Sequence, residues 1–354
     1  MKLHKKDHSM KKNLKKNIRT ITILVASCLI AAGIKLTYGR PSSENRQLQQ
    51  QARDAYVDFD TSMQTNAYAT LFQSHRNYRQ DLDFFKSLYN RYNLKQVSVQ
   101  PECKIPKIIH HIWLGSMLNE KDQAFYESWR ANNTDWTFIF WTDNPANYNK
   151  GQIIVRSFEE LEHHLHNGTP GPLHLVVDTH NLIFENRAYF DQSNNYGEKS
   201  DILRYEIVYR FGGVYVDCDF ECYKDLTLLH HMYDFYTGLQ PLDTNRVQLG
   251  CALFGAIPNH PILRSCVENI KHNRHIPQII AKTGPLFFTR EFYKTAGRHD
   301  LKDIAFPASY FYPRGYEERY KPKSLWCKAE SFATHHWAGS WLEPSGFVNK
   351  QKIT

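Results

Sequence analysis

No Cys-x-x-Cys pair occurs in this chain, and the Cys218/Cys222 spacing is not repeated among its seven cysteines (Cys28, Cys103, Cys218, Cys222, Cys251, Cys266, Cys327). A zinc module is excluded on ligand spacing. In an oxidising compartment one or two disulfides are open to this set, with no pairing fixed by the sequence. Excess charge is missing from most of the chain too. The net charge is +8, but residues 1–19 hold eight Lys/Arg against one acid, Asp7, which leaves 36 basic and 35 acidic residues beyond. A near-neutral body has no phosphate-tracking face, so nucleic acid is not expected as a partner. Internal repeats and low-complexity tracts are absent from the body. With 42% hydrophobic and 14% aromatic residues, the chain has enough apolar mass to bury a core, which argues against wholesale disorder.

Long apolar runs are also missing, with one exception. Thr20 to Leu36, TITILVASCLIAAGIKL, carries no charge until Lys35 and follows the basic cluster directly. Its length lies between a signal-peptide core and a full membrane span. The basic flank places the N-terminus in the cytoplasm and the body on the opposite side, a Golgi or ER lumen or a bacterial periplasm. The expected organisation is a basic cytoplasmic tail (1–19) and a transmembrane signal-anchor (20–38). A helical stem or cap (39–100) and a catalytic domain (101–354) follow. A cleaved signal, giving a secreted protein, is the alternative to the anchor. Asn132 and Asn167 match the N-glycosylation pattern, which matters only in a eukaryotic lumen.

Glycine and proline are nearly absent from residues 42–100, where Leu71, Phe72, Leu82, Phe85, Leu88 and Tyr89 recur at helical intervals. The pattern changes at Pro101. KIIHHIWLG (107–115) and WTFIFWTD (136–143) read as buried strands with a helix between them, a parallel βαβ unit. Trp113 and Asp143 fall at the carboxyl ends of those strands, where open α/β sheets bind ligands. His110 and His111 read as packing residues.

The chemistry concentrates in GEKSDILRYEIVYRFGGVYVDCDFEC (197–222). Ser200 is the expected N-cap, and Leu203, Ile207, Val208 and Phe211 form a helical stripe that ends at Gly212 or Gly213. Val214–Val216 is then a short strand, whose alternation turns Tyr215, Asp217 and Asp219 to one side. Asp201 and Arg204 are i,i+3 neighbours on the helix. Two acids at a strand end make a hard oxygen site suited to Mg²⁺ or Mn²⁺. The D-x-D pair alone is a weak signal. A calcium EF-loop fails because Cys222 and Leu228 stand where glycine and glutamate are needed. A phosphohydrolase of the haloacid dehalogenase type is disfavoured by Glu221.

SDILRYEIVYRFGGVYVDCD resembles the signature of the glycosyltransferases with a DXD sugar-binding region, family 32, which include yeast mannosyltransferases. More distantly it resembles the clostridial glucosylating toxins. The similarity continues in order through IPKIIHHIWLG, SWRANNTDWTFIFWTD, ALFGAIPNHPIL, TGPLFFTREF and HHWAGSW, covering about residues 103–341. It implies a GT-A fold: an α/β domain with a mostly parallel, Rossmann-like sheet. It also implies a divalent metal, Mn²⁺ or Mg²⁺, and transfer of a hexose with retention. The donor would be a UDP- or GDP-linked sugar, and the acceptor a glycan, lipid or protein. By position, Asp219 would bind the metal and Asp217 would hold the ribose or a metal-bound water. Asp201 and Arg204 would engage the donor sugar and diphosphate. Trp113 would lie near the base and Tyr215 near the nucleotide. His336, with His335 as the other candidate, would complete the metal or phosphate site, with Trp341 nearby. Cys251 departs from the family's usual asparagine. An inactive carbohydrate-binding scaffold of the same fold is the alternative from another functional class.

Overall fold

The structure is a computed structural model, which describes residues 42–64, 76–148, 151–167, 172–242 and 246–339. The chain divides into two units, residues 1–46 and 47–354. Of the first, only the start of the helix Ser43–Asp54 is described. The expected anchor (20–38), Leu71, Phe72 and Trp341 lie outside the described residues. Among the described residues no helix is long and apolar enough to cross a membrane.

The second unit is a mixed α/β structure around an eight-stranded sheet of order β3-β4-β2-β1-β5-β8-β7-β9. Its strands are β1 (Ile108–Ile112), β2 (Thr137–Thr142), β3 (Ile153–Val155), β4 (His174–Asp178), β5 (Gly213–Val216), β7 (Phe235–Leu239), β8 (Leu249–Ala256) and β9 (Asp303–Phe306). A separate two-stranded ladder pairs β6 (Phe220–Cys222) with β10 (Ala333–His335). All pairings in the large sheet are parallel except those of β8, which runs antiparallel to β5 and β7. Strands covered on both faces need continuous apolar runs. IIHHI and LGCALFGA are accordingly buried throughout.

β1, the helix Glu120–Asn132 and β2 form the expected parallel βαβ unit. His110 and His111 are fully buried within it. The His110 ring is satisfied on both sides: Nε2 bonds the Gly212 carbonyl at 2.9 Å, and Nδ1 accepts from Trp141 Nε1 at 3.2 Å. The helix Arg76–Tyr92 packs Phe85 against Phe292 and Tyr293, and its Tyr89 hydroxyl bonds the Val57 carbonyl and Tyr310.

The helix Tyr196–Phe211 starts earlier than its apolar stripe suggested. Asn195, not Ser200, is the N-cap; its side chain accepts from the Glu198 amide at 3.1 Å. Ser200 sits a turn inside and uses its hydroxyl on Arg204 and Tyr215. The helix ends at Gly212, with φ +65°, and Gly213 follows at φ +90°. A Cβ on Gly213 would lie 2.5 Å from the Ile108 carbonyl oxygen. Only glycine lets the chain leave the helix and enter the sheet beside β1 at this distance.

Candidate active site

A cleft of about 690 Å³ opens along the carboxyl ends of β1, β5 and β7. Trp113 and Gly115 line it beyond β1, Asp217 and Asp219 beyond β5, and Cys251 and Ala252 from β8. Gly115 is held there because its amide donates to the Asp143 carboxylate at 2.9 Å. The sheet thus brings together sequence segments more than a hundred residues apart, as open α/β sheets do at their binding edge.

At the centre stands Arg204, buried beside two carboxylates. Its Nη2 lies 3.2 Å from Asp201 Oδ1, and its Nη1 lies 3.4 Å from Asp217 Oδ1. Nη1 also donates to the Cys251 carbonyl at 2.9 Å, and Nη2 to the Ser200 hydroxyl at 2.9 Å. The guanidinium stacks 4.5 Å from the centre of the Tyr215 ring, whose hydroxyl donates to Asp217. A flat, always-charged group with five donors suits such a junction. Asp201 is further held by the Thr283 hydroxyl at 2.9 Å. Burial pushes its carboxyl up to about 6 despite Arg204. Burial also raises Asp217, with Arg204 opposing.

Asp217 and Asp219 converge differently from a simple strand alternation. β5 ends at Val216, although the Asp217 amide still donates to the Ala252 carbonyl. A turn closed by the Phe220 amide on the Asp217 carbonyl then carries Asp219 back toward the cleft. Its carboxylate accepts from the Ala338 amide at 2.8 Å and meets His335 Nε2 at 3.1 Å. Burial works to raise Asp219, but His335 and the Ala338 amide outweigh it and hold the carboxyl at about 2.

Ligand atoms of Asp217, Asp219 and His335 lie within 4.8 Å of one another. Two carboxylate oxygens and an imidazole nitrogen form a donor set that fits Mn²⁺ and, less closely, the oxygen-preferring Mg²⁺. His336, the expected third ligand, is not part of this cluster. Just past β10 the backbone is still extended enough that the next side chain turns the other way, and His336 leaves on the opposite side from His335. Its Nδ1 accepts from Arg314 Nη2 at 2.6 Å and its Nε2 meets Glu221 at 3.0 Å, while its ring stacks on Phe125. The His336 amide still donates to the Asp219 carbonyl at 2.9 Å, so this residue braces the turn from behind.

The structure adds residues to the cleft that were not singled out from the sequence. Asp122, Gln240, Gln248, Thr283 and Trp337 are near or on its wall, the first three and Trp337 lining it directly. Asp122 was legible only as part of a cap: Asn119 accepts from its amide and donates to its carboxylate. Trp337 takes φ +57° and packs its ring, tilted, against His335 with centroids 4.4 Å apart. None of the six described cysteines is in a disulfide, Cys218 and Cys222 included. Cys218 instead donates to the Ile112 carbonyl, and Cys222 contacts Asn133.

Residues 119–236 match the family described as the glycosyltransferase sugar-binding region containing the DXD motif. Inositol phosphoceramide mannosyltransferase 1 of Schizosaccharomyces pombe is 28% identical over 203 residues, 54% of this chain and 52% of that protein. Inositol phosphoceramide mannosyltransferase 3 of the same yeast is 26% identical over 218 residues, 60% of this chain and 51% of that protein. The chain spans about half the length of these curated relatives. Among solved structures, the PaToxG glycosyltransferase is 18% identical and overlaps 61% of this chain and 77% of its own at a TM-score of 0.40. The sequence motifs, the paired aspartates of the cleft and the relatives agree, and the chain resembles the glycosyltransferases whose sugar-binding region contains a DXD motif.

Proposed function

We propose that this chain is a metal-dependent, retaining glycosyltransferase of GT-A type that moves a hexose from a nucleotide-diphosphate sugar to a glycan, lipid or protein acceptor. The observation that carries this reading is the cluster of Asp217, Asp219 and His335 beside the Arg204–Asp201 pair on one wall of a single cleft. Asp217, Asp219 and His335 would hold Mn²⁺ or Mg²⁺, which when bound supplies positive charge to the diphosphate. Trp113 offers a face for the base, and Tyr215 keeps Asp217 and Arg204 in register on the nucleotide side.

Arg204 has a fixed positive charge and is already oriented by four acceptors, so it offsets charge on the leaving diphosphate without reorganisation. Asp201 is locked by Arg204 and Thr283 and accepts hydroxyls of the donor sugar. No covalent nucleophile is assigned, so the reaction is front-face. The acceptor oxygen bonds to the anomeric carbon on the side from which the phosphate oxygen departs. The acceptor proton passes to that departing oxygen.

Mannose is the first sugar to test, because the two relatives are named as mannosyltransferases, and inositol phosphoceramide the first lipid acceptor. In this reading residues 101–354 are the catalytic domain, residues 47–100 a cap packed on it, and residues 20–38 a membrane anchor with the body on the far side. The test is a panel of GDP- and UDP-sugars with Mn²⁺ or Mg²⁺, scoring slow donor hydrolysis and transfer. Metal-dependent turnover of one donor is the expected result. Absence of binding and cleavage for every donor with either metal overturns the assignment.

A further inference from the structure

Gln240 and Gln248 form a carboxamide pair on the part of the cleft wall that β7 and β8 supply. Gln240 follows β7 directly and Gln248 precedes β8. Their backbones pair, with the Gln240 amide donating to the Gln248 carbonyl at 2.9 Å, and Gln248 Nε2 donates to Gln240 Oε1 at 2.5 Å. The two residues are only 6% and 8% exposed, yet both line the cleft. Among the described residues the outer atoms of the pair, Gln240 Nε2 and Gln248 Oε1, bond no other protein group, and neither is sealed from solvent. A donor and an acceptor that line a cleft and are unused by the protein are available to a ligand with complementary groups.

Strand order says which part of the ligand they meet. Along the sheet run β1, β5, β8 and β7. Trp113 follows β1, the aspartates follow β5, and Gln240 follows β7, two strands beyond the aspartates. At about 4.8 Å per strand that is on the order of 10 Å, the reach of a hexose attached to a metal-bound diphosphate. The β7–β8 register shifts between Thr237 and Gly238, and beyond this irregularity the Cys251 carbonyl accepts from Arg204 while Gln248 lines the cleft. The pair itself offers two neutral carboxamides, a chemistry that suits a neutral polyol.

We propose that the Gln240–Gln248 pair reads two neighbouring hydroxyls of the donor hexose, one as acceptor and one as donor, and so sets which sugar is accepted. This rests on the nucleotide-sugar reading above. A site built to bond a hydroxyl discriminates strongly against a sugar that lacks it or turns it the other way.

The test uses the full chain with Mn²⁺ and calorimetric titration of GDP against GDP-mannose, and of UDP against UDP-glucose. Q240M and Q248M keep side-chain length and remove the outward hydrogen-bonding atoms. The expected result is that one nucleotide sugar binds wild type more tightly than its bare nucleotide. Each variant then keeps the bare nucleotide's affinity and loses about tenfold on the sugar-bearing form. Retained nucleotide affinity also certifies a folded cleft. A merely structural pair would lower the melting temperature and leave the ratio of the two affinities unchanged, and that outcome overturns the proposal. A variant too unstable to bind the bare nucleotide is replaced by Q240N, judged by the same ratio. If wild type binds no nucleotide with metal, the glycosyltransferase reading falls, and this assignment with it.

Discussion

Arg204 Nη1 lies 3.4 Å from Asp217 Oδ1, while the same guanidinium covers the Tyr215 ring whose hydroxyl donates to that carboxylate. One buried cation therefore neutralises a helix carboxylate, Asp201, and a strand-end carboxylate, Asp217. Removing it leaves a buried acid, Asp201, and a half-buried one, Asp217, uncompensated. R204A is expected to lose about 3–5 kcal/mol of stability as well as donor turnover. R204K, which keeps the charge but not the fork, should recover part of the stability and little of the turnover. Urea unfolding and donor hydrolysis measure the two separately, and a wild-type unfolding midpoint in R204A contradicts this account.

Asp219 is tied by His335 Nε2 and the Ala338 amide. D219N keeps the shape of the side chain and removes the charge a divalent ion requires. Mn²⁺ affinity, followed by electron paramagnetic resonance of the free ion, should fall about a hundredfold or more, and the melting temperature should fall as well, because the bonds that hold this carboxyl at about 2 favour its ionised form. Unchanged Mn²⁺ affinity removes Asp219 from the metal site.

His335 and His336 are adjacent in sequence but separate in role. H335A should weaken Mn²⁺ binding about as strongly as D219N. H336A breaks the Arg314–His336–Glu221 chain and the stack on Phe125, so it should lower stability by about 1–3 kcal/mol with a smaller effect on the metal. The reverse ranking in metal titrations would return His336 to the ligand set.

Gly213 has φ +90°, and a Cβ there would meet the Ile108 carbonyl oxygen at 2.5 Å. G213A combines a disfavoured backbone with a backbone clash and is expected to cost more than about 2 kcal/mol. G151A is a comparison: φ is also positive, at +86°, but nothing lies within 4 Å of the added Cβ. It should cost only the backbone part, and equal melting temperatures for the two variants would contradict the packing argument.

His110 and His230 are buried and neutral, each ring bonded on both nitrogens. Burial lowers them to about 4 and about 3. The unfolded chain, with histidines near 6.5, therefore binds more protons than the folded one below that pH. Their contribution is complete above pH 6.5 and is lost as pH falls toward 4, at about 1.4 kcal/mol per pH unit for each ring. H230Q should reduce the slope of unfolding free energy against pH in this window by one such increment. An unchanged slope shows that His230 does not titrate on unfolding.

The sequence made the local devices readable. Apolar runs marked β1 and β2, the glycine pair marked the end of the helix, and D-x-D with Asp201 and Arg204 marked the acidic centre, because these follow from periodicity and near-neighbour spacing. Side chains used across the fold were harder to assign. Ser200 looks like an N-cap by its position before the apolar stripe, yet Asn195 holds that place, because the first turn of the helix faces a polar cleft and carries no stripe. His335 and His336 cannot be ranked from the string HHW, since which ring faces Asp219 depends on the antiparallel register of β10 against β6. Gln240 and Gln248 carry no motif at all; they meet the cleft only because β7 pairs with β8.

By itself, then, the sequence determined which chemical groups were available, two acids beside an arginine after a glycine-ended helix, because those relations span only a few residues of regular backbone. The tertiary structure decided which imidazole completes the cluster, which carboxylates share one buried cation, and which amides line the cleft. Those are matters of strand order and register, and long-range pairing places residues by contacts that no local spacing encodes.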